Sequence, residues 1–128
     1  MQLAEKAEKI KYELENIGHQ AFVAKTNDRF VNKTDEEKET IKLQQKNNED
    51  VINQHFKLIE NSDAVLILNY EKNGIKNYIG GNTFLEMGIA FYLKKMIYLI
   101  NSIPQLTYET EIIAMKPIII NGDLTKIK

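Results

Sequence analysis

Three short segments of the sequence are built almost entirely from apolar residues, and they constrain the fold more than any other feature. These segments are residues 64–68 (AVLIL), 96–100 (MIYLI) and 117–120 (PIII). An unbroken apolar run of this length is typical of a parallel strand that is covered on both faces. Stretches with helical periodicity separate the three runs. This alternation favours a parallel sheet with right-handed crossover helices on both faces.

Further elements extend the alternation toward the start of the chain. Apolar residues recur at helical spacing over 3–17 and Gly18 follows them, which predicts a helix that ends at this glycine. Residues 21–24 (AFVA) predict a short strand. Three more helices are predicted, over about 34–59, 83–94 and 107–115. The predicted order is therefore α-β-α-β-α-β-α-β, an α/β doubly wound parallel sheet with four strands.

The overall composition excludes several classes of function. The chain has 128 residues, which fits a single domain over 1–128, and a formal net charge of −1. Without a basic field, binding of nucleic acid through bulk electrostatics is disfavoured. The absence of cysteine excludes thiolate chemistry, and two histidines disfavour a metal site. No apolar run approaches the roughly 20 residues of a membrane span, so we expect a cytoplasmic protein without membrane contact.

Residues 26–50 differ from the rest of the chain because they are rich in Asn, Lys, Glu, Asp, Thr and Gln. We interpret them as an exposed loop followed by a solvated helix that begins near Thr34. A surface insertion is the simpler interpretation and the one we favour. The alternatives are a mobile lid over a site or a contact segment for another protein.

A glycine-containing loop between the strand at 64–68 and the following helix is the best candidate for a binding segment. Parallel sheets bind ligands outside the carboxyl ends of their strands, and a helix N-terminus there offers backbone N–H groups to phosphate or sugar hydroxyls. Glycine lets the backbone approach a ligand closely. The segment consists of Gly80, Gly81, Asn82 and Thr83.

Glu86 is the only charged residue between Phe84 and Leu93. A helix that is apolar on nearly all sides is expected to be buried, so a carboxylate on it needs a local donor or a polar site. Two interpretations remain open from the residues alone. Glu86 acts in a binding or catalytic site, or it completes a capping box in which Thr83 is the helix N-cap.

Three segments together resemble the nucleoside 2-deoxyribosyltransferase-like family. They are residues 62–68 (SDAVLIL), 80–90 (GGNTFLEMGIA) and 95–99 (KMIYL). The family has a strand opening with Asp, a glycine- and threonine-containing loop, a Glu-x-Gly-x-Ala helix and a strand entered by Lys-Pro-Ile/Val. The resemblance covers residues 60–101 well and residues 2–25 loosely. It implies a flavodoxin-like fold and a homo-oligomer.

The resemblance also implies an activity and the residues that carry it. Glu86 matches the nucleophile, which attacks the anomeric carbon of a 2-deoxyribosyl group in a nucleoside or nucleotide, and no cofactor or metal is needed. Asp63 matches an aspartate that positions the sugar or base; the alternative is a polar strand end that caps nearby backbone. Residues 80–83 are predicted to contact substrate. Asn69 and Tyr78 flank this loop and Asn101 ends the next strand, and their positions leave two interpretations open. They contact substrate, or they serve ordinary loop packing (Asn69 and Tyr78) and a turn (Asn101).

Two departures from the family pattern favour an alternative function. Gly80 stands where family transferases often carry an acidic or hydroxyl residue, six positions before the glutamate. The sequence also begins inside the first helix of the family, so its first, central strand is absent. We expect residues preceding Met1 or another chain to supply that strand. The alternative is a non-catalytic nucleotide-binding or sensor domain on the same fold.

Overall fold

The computed structural model describes residues 3–23 and 48–127. The chain divides into two compact units, the first ending at Lys57 and the second beginning at Leu58. The prediction of a single domain over 1–128 stays a prediction. Among the described residues, no helix combines the length and the apolar character that crossing a membrane requires.

Helix α1 spans Leu3–Asn16 and ends as predicted. Gly18 has a φ of 102°, and the backbone N–H of His19 donates to the Leu14 carbonyl at 3.0 Å. Glycine adopts this left-handed conformation at little cost in free energy, whereas a residue with a Cβ atom adopts it at a higher cost.

The predicted strand at 21–24 is wrong over residues 21–23, which have no regular secondary structure. A strand forms only where its backbone groups pair with a neighbour. No neighbour among the described residues pairs with this segment. Residue 24 and the polar segment up to residue 47 lie outside the described residues, and helix α2 is described over Asn48–Glu60.

The second unit contains the three apolar runs as three parallel strands. Its elements after α2 are β1 (Ala64–Ile67), α3 (Gly81–Tyr92), β2 (Met96–Leu99), α4 (Glu109–Ala114), β3 (Ile118–Ile119) and a 3-10 turn (Leu124–Lys126). The sheet order is β1-β2-β3, and both pairs are parallel. The structure therefore confirms the α/β class and the parallel sheet. Over residues 3–23 and 48–127 the sheet has three strands, whereas four are predicted.

The core of the second unit lies between this sheet and α3, which packs against β1 and β2. Leu99 in the central strand, Met87 and Ala90 in α3, and Ile112 in α4 are fully buried. Ile59, in the last turn of α2, joins the same cluster. Because α3 ends just before the amino end of β2 and runs back along the sheet, its N-terminus faces the carboxyl ends of the strands.

Candidate functional site

Two asparagines join the carboxyl ends of β1 and β2. The side-chain Nδ2 of Asn69 donates to the carbonyls of Asn101 and Ser102 at 3.0 and 2.9 Å. Its Oδ1 accepts from the backbone N–H of Asn101 at 3.0 Å. The Nδ2 of Asn101 donates in turn to the Asn69 carbonyl at 3.0 Å. We call these four hydrogen bonds the asparagine clamp.

The clamp changes the roles that the sequence suggested for both residues. Asn69 is 0% exposed, and both its amide N–H groups and its oxygen are used within the chain. Buried amides need such partners, because an unpaired one costs free energy. The Asn69 side chain is therefore inaccessible to a ligand. Asn101 is half-buried and shares the same bonds, so both asparagines shape the edge of the sheet.

The loop after β1 folds back on itself before it reaches α3. Asn73 and Gly74 have φ angles of 52° and 79°, and Lys72 and Ile75 pair on either side of them. Two consecutive positive φ angles form the tight turn that Asn-Gly pairs favour. The backbone N–H of Tyr78 then donates to the Tyr70 carbonyl at 3.1 Å. The loop thus returns the chain to the carboxyl edge at residue 78.

Ile79 anchors the chain immediately before α3. Its side chain is fully buried, and its carbonyl accepts a hydrogen bond from the Tyr108 hydroxyl. The Tyr108 ring packs against Phe84 of α3 with 4.6 Å between the ring centroids. Tyr108 was not among the residues predicted from sequence. Its partner carbonyl lies 29 residues earlier, so no local pattern could have indicated it.

Helix α3 begins two residues earlier than predicted, and this removes one interpretation of Glu86. Gly80 is the N-cap residue and, as a glycine, makes no side-chain cap hydrogen bond. Thr83 is therefore the third residue of the helix, so the predicted capping box with Thr83 as N-cap is wrong. The first intrahelical bond runs from the Phe84 N–H to the Gly80 carbonyl at 2.9 Å. The N–H groups of residues 81–83 precede it and have no carbonyl acceptor within the helix.

Glu86 is half-buried on the flank of α3, between the buried face with Met87 and the exposed Leu85. Residues three and four positions apart are neighbours on a helix surface, and helical side chains tilt toward the N-terminus. This tilt directs Glu86 toward the turn that contains Asn82 and Thr83. The structure thus brings the predicted glutamate and the predicted N-terminal segment together.

The two glycines at the start of α3 have different surroundings. A methyl group on Gly80 would lie 3.3 Å from Cε2 of Tyr78, which is tighter than ordinary contact, whereas one on Gly81 would meet nothing within 4 Å. The half-buried Tyr78 ring therefore lies against Gly80. Gly81 and Asn82 are exposed and Thr83 is half-buried, so a ligand can approach this backbone.

Asp63 is not part of this arrangement. It is exposed and precedes β1, and its carbonyl accepts from the backbone N–H of Met96 at the start of β2. A strand rises about 3.3 Å per residue, so the four residues of β1 separate Asp63 from the carboxyl edge by roughly 13 Å. The structure places Asp63 at the opposite, amino edge, where it cannot act together with residues 80–83.

Among the described residues, no group of three or more His, Asp or Glu side chains could hold a metal ion. Comparisons with known proteins give no family assignment, because no protein-family model, curated protein or solved structure matches this chain. What the site does must therefore be inferred from its own residues.

Replacing Asn69 with Ala tests the asparagine clamp. The substitution leaves the backbone N–H of Asn101 and two carbonyls without their partners at a buried position. We expect a loss of about 1–3 kcal/mol in the free energy of unfolding, measured by urea denaturation. Asn61→Ala, at an exposed turn, is the matched control and should change stability little. Equal effects of the two substitutions would contradict a structural role for the clamp.

Tyr108→Phe tests the anchor at Ile79. Burial raises the pKa of the Tyr108 phenol above its usual value near 10, and the neighbouring Tyr78 raises it further. The folded state therefore favours the neutral phenol. The contribution of the Tyr108 phenol to the stability of the fold is fully present below pH ~10. It is lost as the pH rises through the higher folded-state pKa.

We expect the wild type to be more stable than Tyr108→Phe by about 1 kcal/mol at pH 8. This difference should shrink as the pH rises above ~10. Chemical denaturation of both proteins between pH 8 and pH 11 measures it, with Tyr12→Phe as the control because Tyr12 is 65% exposed. A difference that stays constant up to pH 11 would show that the phenol proton does not matter.

Proposed function

We propose that this protein processes N-glycosides, acting on (deoxy)nucleosides or nucleotides by glycosyl transfer or hydrolysis, with Glu86 as the nucleophile. The observation that carries the proposal is the position of Glu86. It is a half-buried carboxylate one turn inside a helix that begins after Gly80 and whose N-terminus faces the carboxyl edge of a parallel sheet. Sheets of this kind bind their ligands at that edge.

The N-terminus of α3 supplies the recognition chemistry. The N–H groups of residues 81–83 and the positive end of the helix dipole suit a phosphate or a sugar hydroxyl. The Tyr78 ring, held beside Gly80, gives an aromatic surface for a base. Asn69 and Asn101 have no direct contact with substrate in this proposal, because the asparagine clamp occupies them. Asp63 has none because it lies at the amino edge.

The reaction proceeds in two displacements. A carboxylate oxygen of Glu86 attacks the anomeric carbon, the N-glycosidic bond breaks, and the base leaves with the bonding electron pair and takes up a proton. A glycosyl ester of Glu86 results. A second base or water then attacks the same carbon and gives up a proton to solvent, which releases the carboxylate and gives a new nucleoside or the free sugar. No cofactor takes part.

The family resemblance at residues 60–101 supports this chemistry and a flavodoxin-like arrangement of the sheet. In such an arrangement another strand lies beside β1, which is an edge strand among the described residues. The apolar sequence of β1 suits a strand with neighbours on both sides. The activity that we propose takes place in the cytoplasm.

A second function is a nucleotide-binding or sensor domain without turnover. The absence of a carboxylate or hydroxyl at Gly80, and the position of Asp63 far from Glu86, favour it. Both functions use the N-terminus of α3 in the same way, so binding alone does not separate them. Saturable binding of a nucleotide without release of its base would favour the sensor function over the catalytic one.

Glu86→Gln tests the nucleophile while keeping the size of the side chain. We expect base release from deoxynucleosides and deoxynucleotides, followed by chromatography, to fall on the order of 10³-fold or more. Glu111→Gln, on the exposed surface of α4, is the matched control and should retain full activity. Base release by Glu86→Gln at the wild-type rate would end the catalytic proposal.

Gly81→Ala separates binding from folding in the same assay. The added methyl group meets nothing within 4 Å, and alanine in a helix is favoured over glycine by about 0.5–1 kcal/mol. The variant should therefore be at least as stable as the wild type. We expect a higher KM, because the methyl group stands where the ligand approaches the helix N-terminus. An unchanged KM would place the ligand elsewhere.

A further inference from the structure

The amino edge of the sheet, opposite to the proposed site, carries a hollow of about 630 Å³. Small-molecule sites have volumes of roughly 300–1,000 Å³, so the hollow has room for a ligand of that kind. Large apolar side chains with considerable exposure line it. Tyr92 is 80% exposed, Phe91 52% and Met96 48%. Apolar side chains exposed in such a group mark a binding surface.

The charged side chains that line the hollow all carry the same sign. They are Lys94, Lys95 and Lys116. The register of β1 and β2 sets Asp63 opposite Lys95, but Asp63 does not line the hollow. None of the three lysines is ion-paired with a residue in 3–23 or 48–127. The hollow therefore offers positive charge and apolar surface together.

Lys94 and Lys116 share a backbone conformation that favours glycine. Their φ angles are 61° and 53°, and each directly follows the C-cap residue of its helix, α3 or α4. Their backbone N–H groups donate to the carbonyls of Phe91 and Ile113 at 3.0 Å. Glycine is the usual residue at this position, and Gly18 occupies it after α1. A residue with a Cβ atom is strained there.

The helix dipole gives a structural reason for a cation near these helix ends, because the carboxyl end of a helix is partly negative. That reason does not require the strained position, since a lysine anywhere in the last turn would serve. The last turns of α3 and α4 contain no basic residue. What the two strained lysines have in common is instead their place at the hollow.

Both lysines lie close to Met96 in the sheet. Lys94 precedes Met96 by two residues. The register that pairs Tyr98 with Ile118 sets Lys116 opposite Met96 on the neighbouring strand, about 4.8 Å away. Two long cationic side chains thus start near one point of the hollow, and both can reach a single anionic group there.

We propose that the hollow binds an amphiphilic anion, a small molecule with a carboxylate or phosphate head and an apolar body. The ammonium groups of Lys94 and Lys116 pair with the head. The side chains of Phe91, Tyr92 and Met96 cover the body, which removes apolar surface from water. The occupant is a single dissolved molecule. An anionic membrane surface has the same chemistry, and the test below separates the two.

Decanoate, kept below the concentration at which it forms micelles, is the probe, and NMR of the methionine methyl groups of the full chain is the measurement. Met96 and Met115 line the hollow, whereas Met87 is fully buried in the core. We expect saturable shifts of the first two signals and none of the third. Signals at Met96 and Met115 that do not saturate or do not move would overturn the proposal. So would equal shifts of all three, which would mean that decanoate loosens the fold.

Two matched compounds test the role of charge. Decanol has the same chain without the carboxylate, and decyltrimethylammonium has the opposite charge. We expect decanol to bind about tenfold more weakly than decanoate, because charged hydrogen bonds to the head are lost, and the cation to show no saturable binding. Equal dissociation constants for decanoate and decanol would contradict recognition of the head by lysine.

Lys94→Gly and Lys116→Gly remove each charge and relieve the strained backbone. Each variant should bind decanoate about three- to tenfold more weakly and decanol as the wild type does. Its melting temperature should equal or exceed that of the wild type. Asn121→Gly makes the same backbone change, at a φ of 49°, outside the hollow, and is the matched control. Wild-type affinity for decanoate in both lysine variants would overturn the proposal, and a lower melting temperature would then assign the lysines to the helix ends.

Flotation with vesicles separates a dissolved ligand from a membrane. We expect the chain to float neither with phosphatidylserine nor with phosphatidylcholine vesicles. Flotation with the anionic vesicles alone, lost in Lys94→Gly and Lys116→Gly, would make a membrane the occupant and overturn the proposal. Base release from deoxynucleosides should be unchanged in both variants, because the hollow and the proposed site lie at opposite edges of the sheet. The two proposals therefore fail separately.

Discussion

The asparagine clamp between Asn69 and Asn101 is the interaction on which the carboxyl edge of the sheet depends. It joins the ends of β1 and β2 through four hydrogen bonds, with the Asn69 side chain buried. Each strand can therefore end at a defined place without leaving polar groups unpaired. The loop after β1 starts from this point and returns to Ile79, where burial and the Tyr108 hydroxyl hold it. The start of α3 follows at once, so the clamp and the anchor together set where its free N–H groups lie.

The two edges of the sheet then take on different chemistry. At the carboxyl edge the chain presents a helix N-terminus with Gly80 as N-cap, an exposed Gly81 and a half-buried Glu86, which suit a small polar ligand with an anionic or hydroxyl group. At the amino edge it exposes large apolar side chains, among them Phe91, Tyr92 and Met96. Parallel strands make this division possible because all three start at one edge and end at the other.

The sequence predicts the parts of this structure that depend on local pattern. The apolar runs indicate the three strands because buried strands favour apolar residues. Gly18 indicates the end of α1 because a left-handed backbone after a helix favours glycine. It does not predict contacts between distant residues. The Tyr108 anchor and the asparagine clamp each join segments about 30 residues apart. The predicted start of α3 at residue 83 is two residues late because Gly81 and Asn82 have low helix propensity. The predicted strand at 21–24 is wrong over residues 21–23 because strand formation depends on a pairing neighbour.

The most direct test of Glu86 as the nucleophile is to trap the glycosyl ester on its carboxylate. A 2-deoxy-2-fluoro nucleoside suits this, because fluorine destabilises the oxocarbenium-like transition states and slows release of the intermediate. After incubation, mass spectrometry of the intact chain and of its peptides should show one fluoroglycosyl group, carried by the peptide that contains Glu86 and absent in Glu86→Gln. Release of the base with the chain left unmodified, or a label on any other residue, would contradict the assignment of Glu86 as the nucleophile.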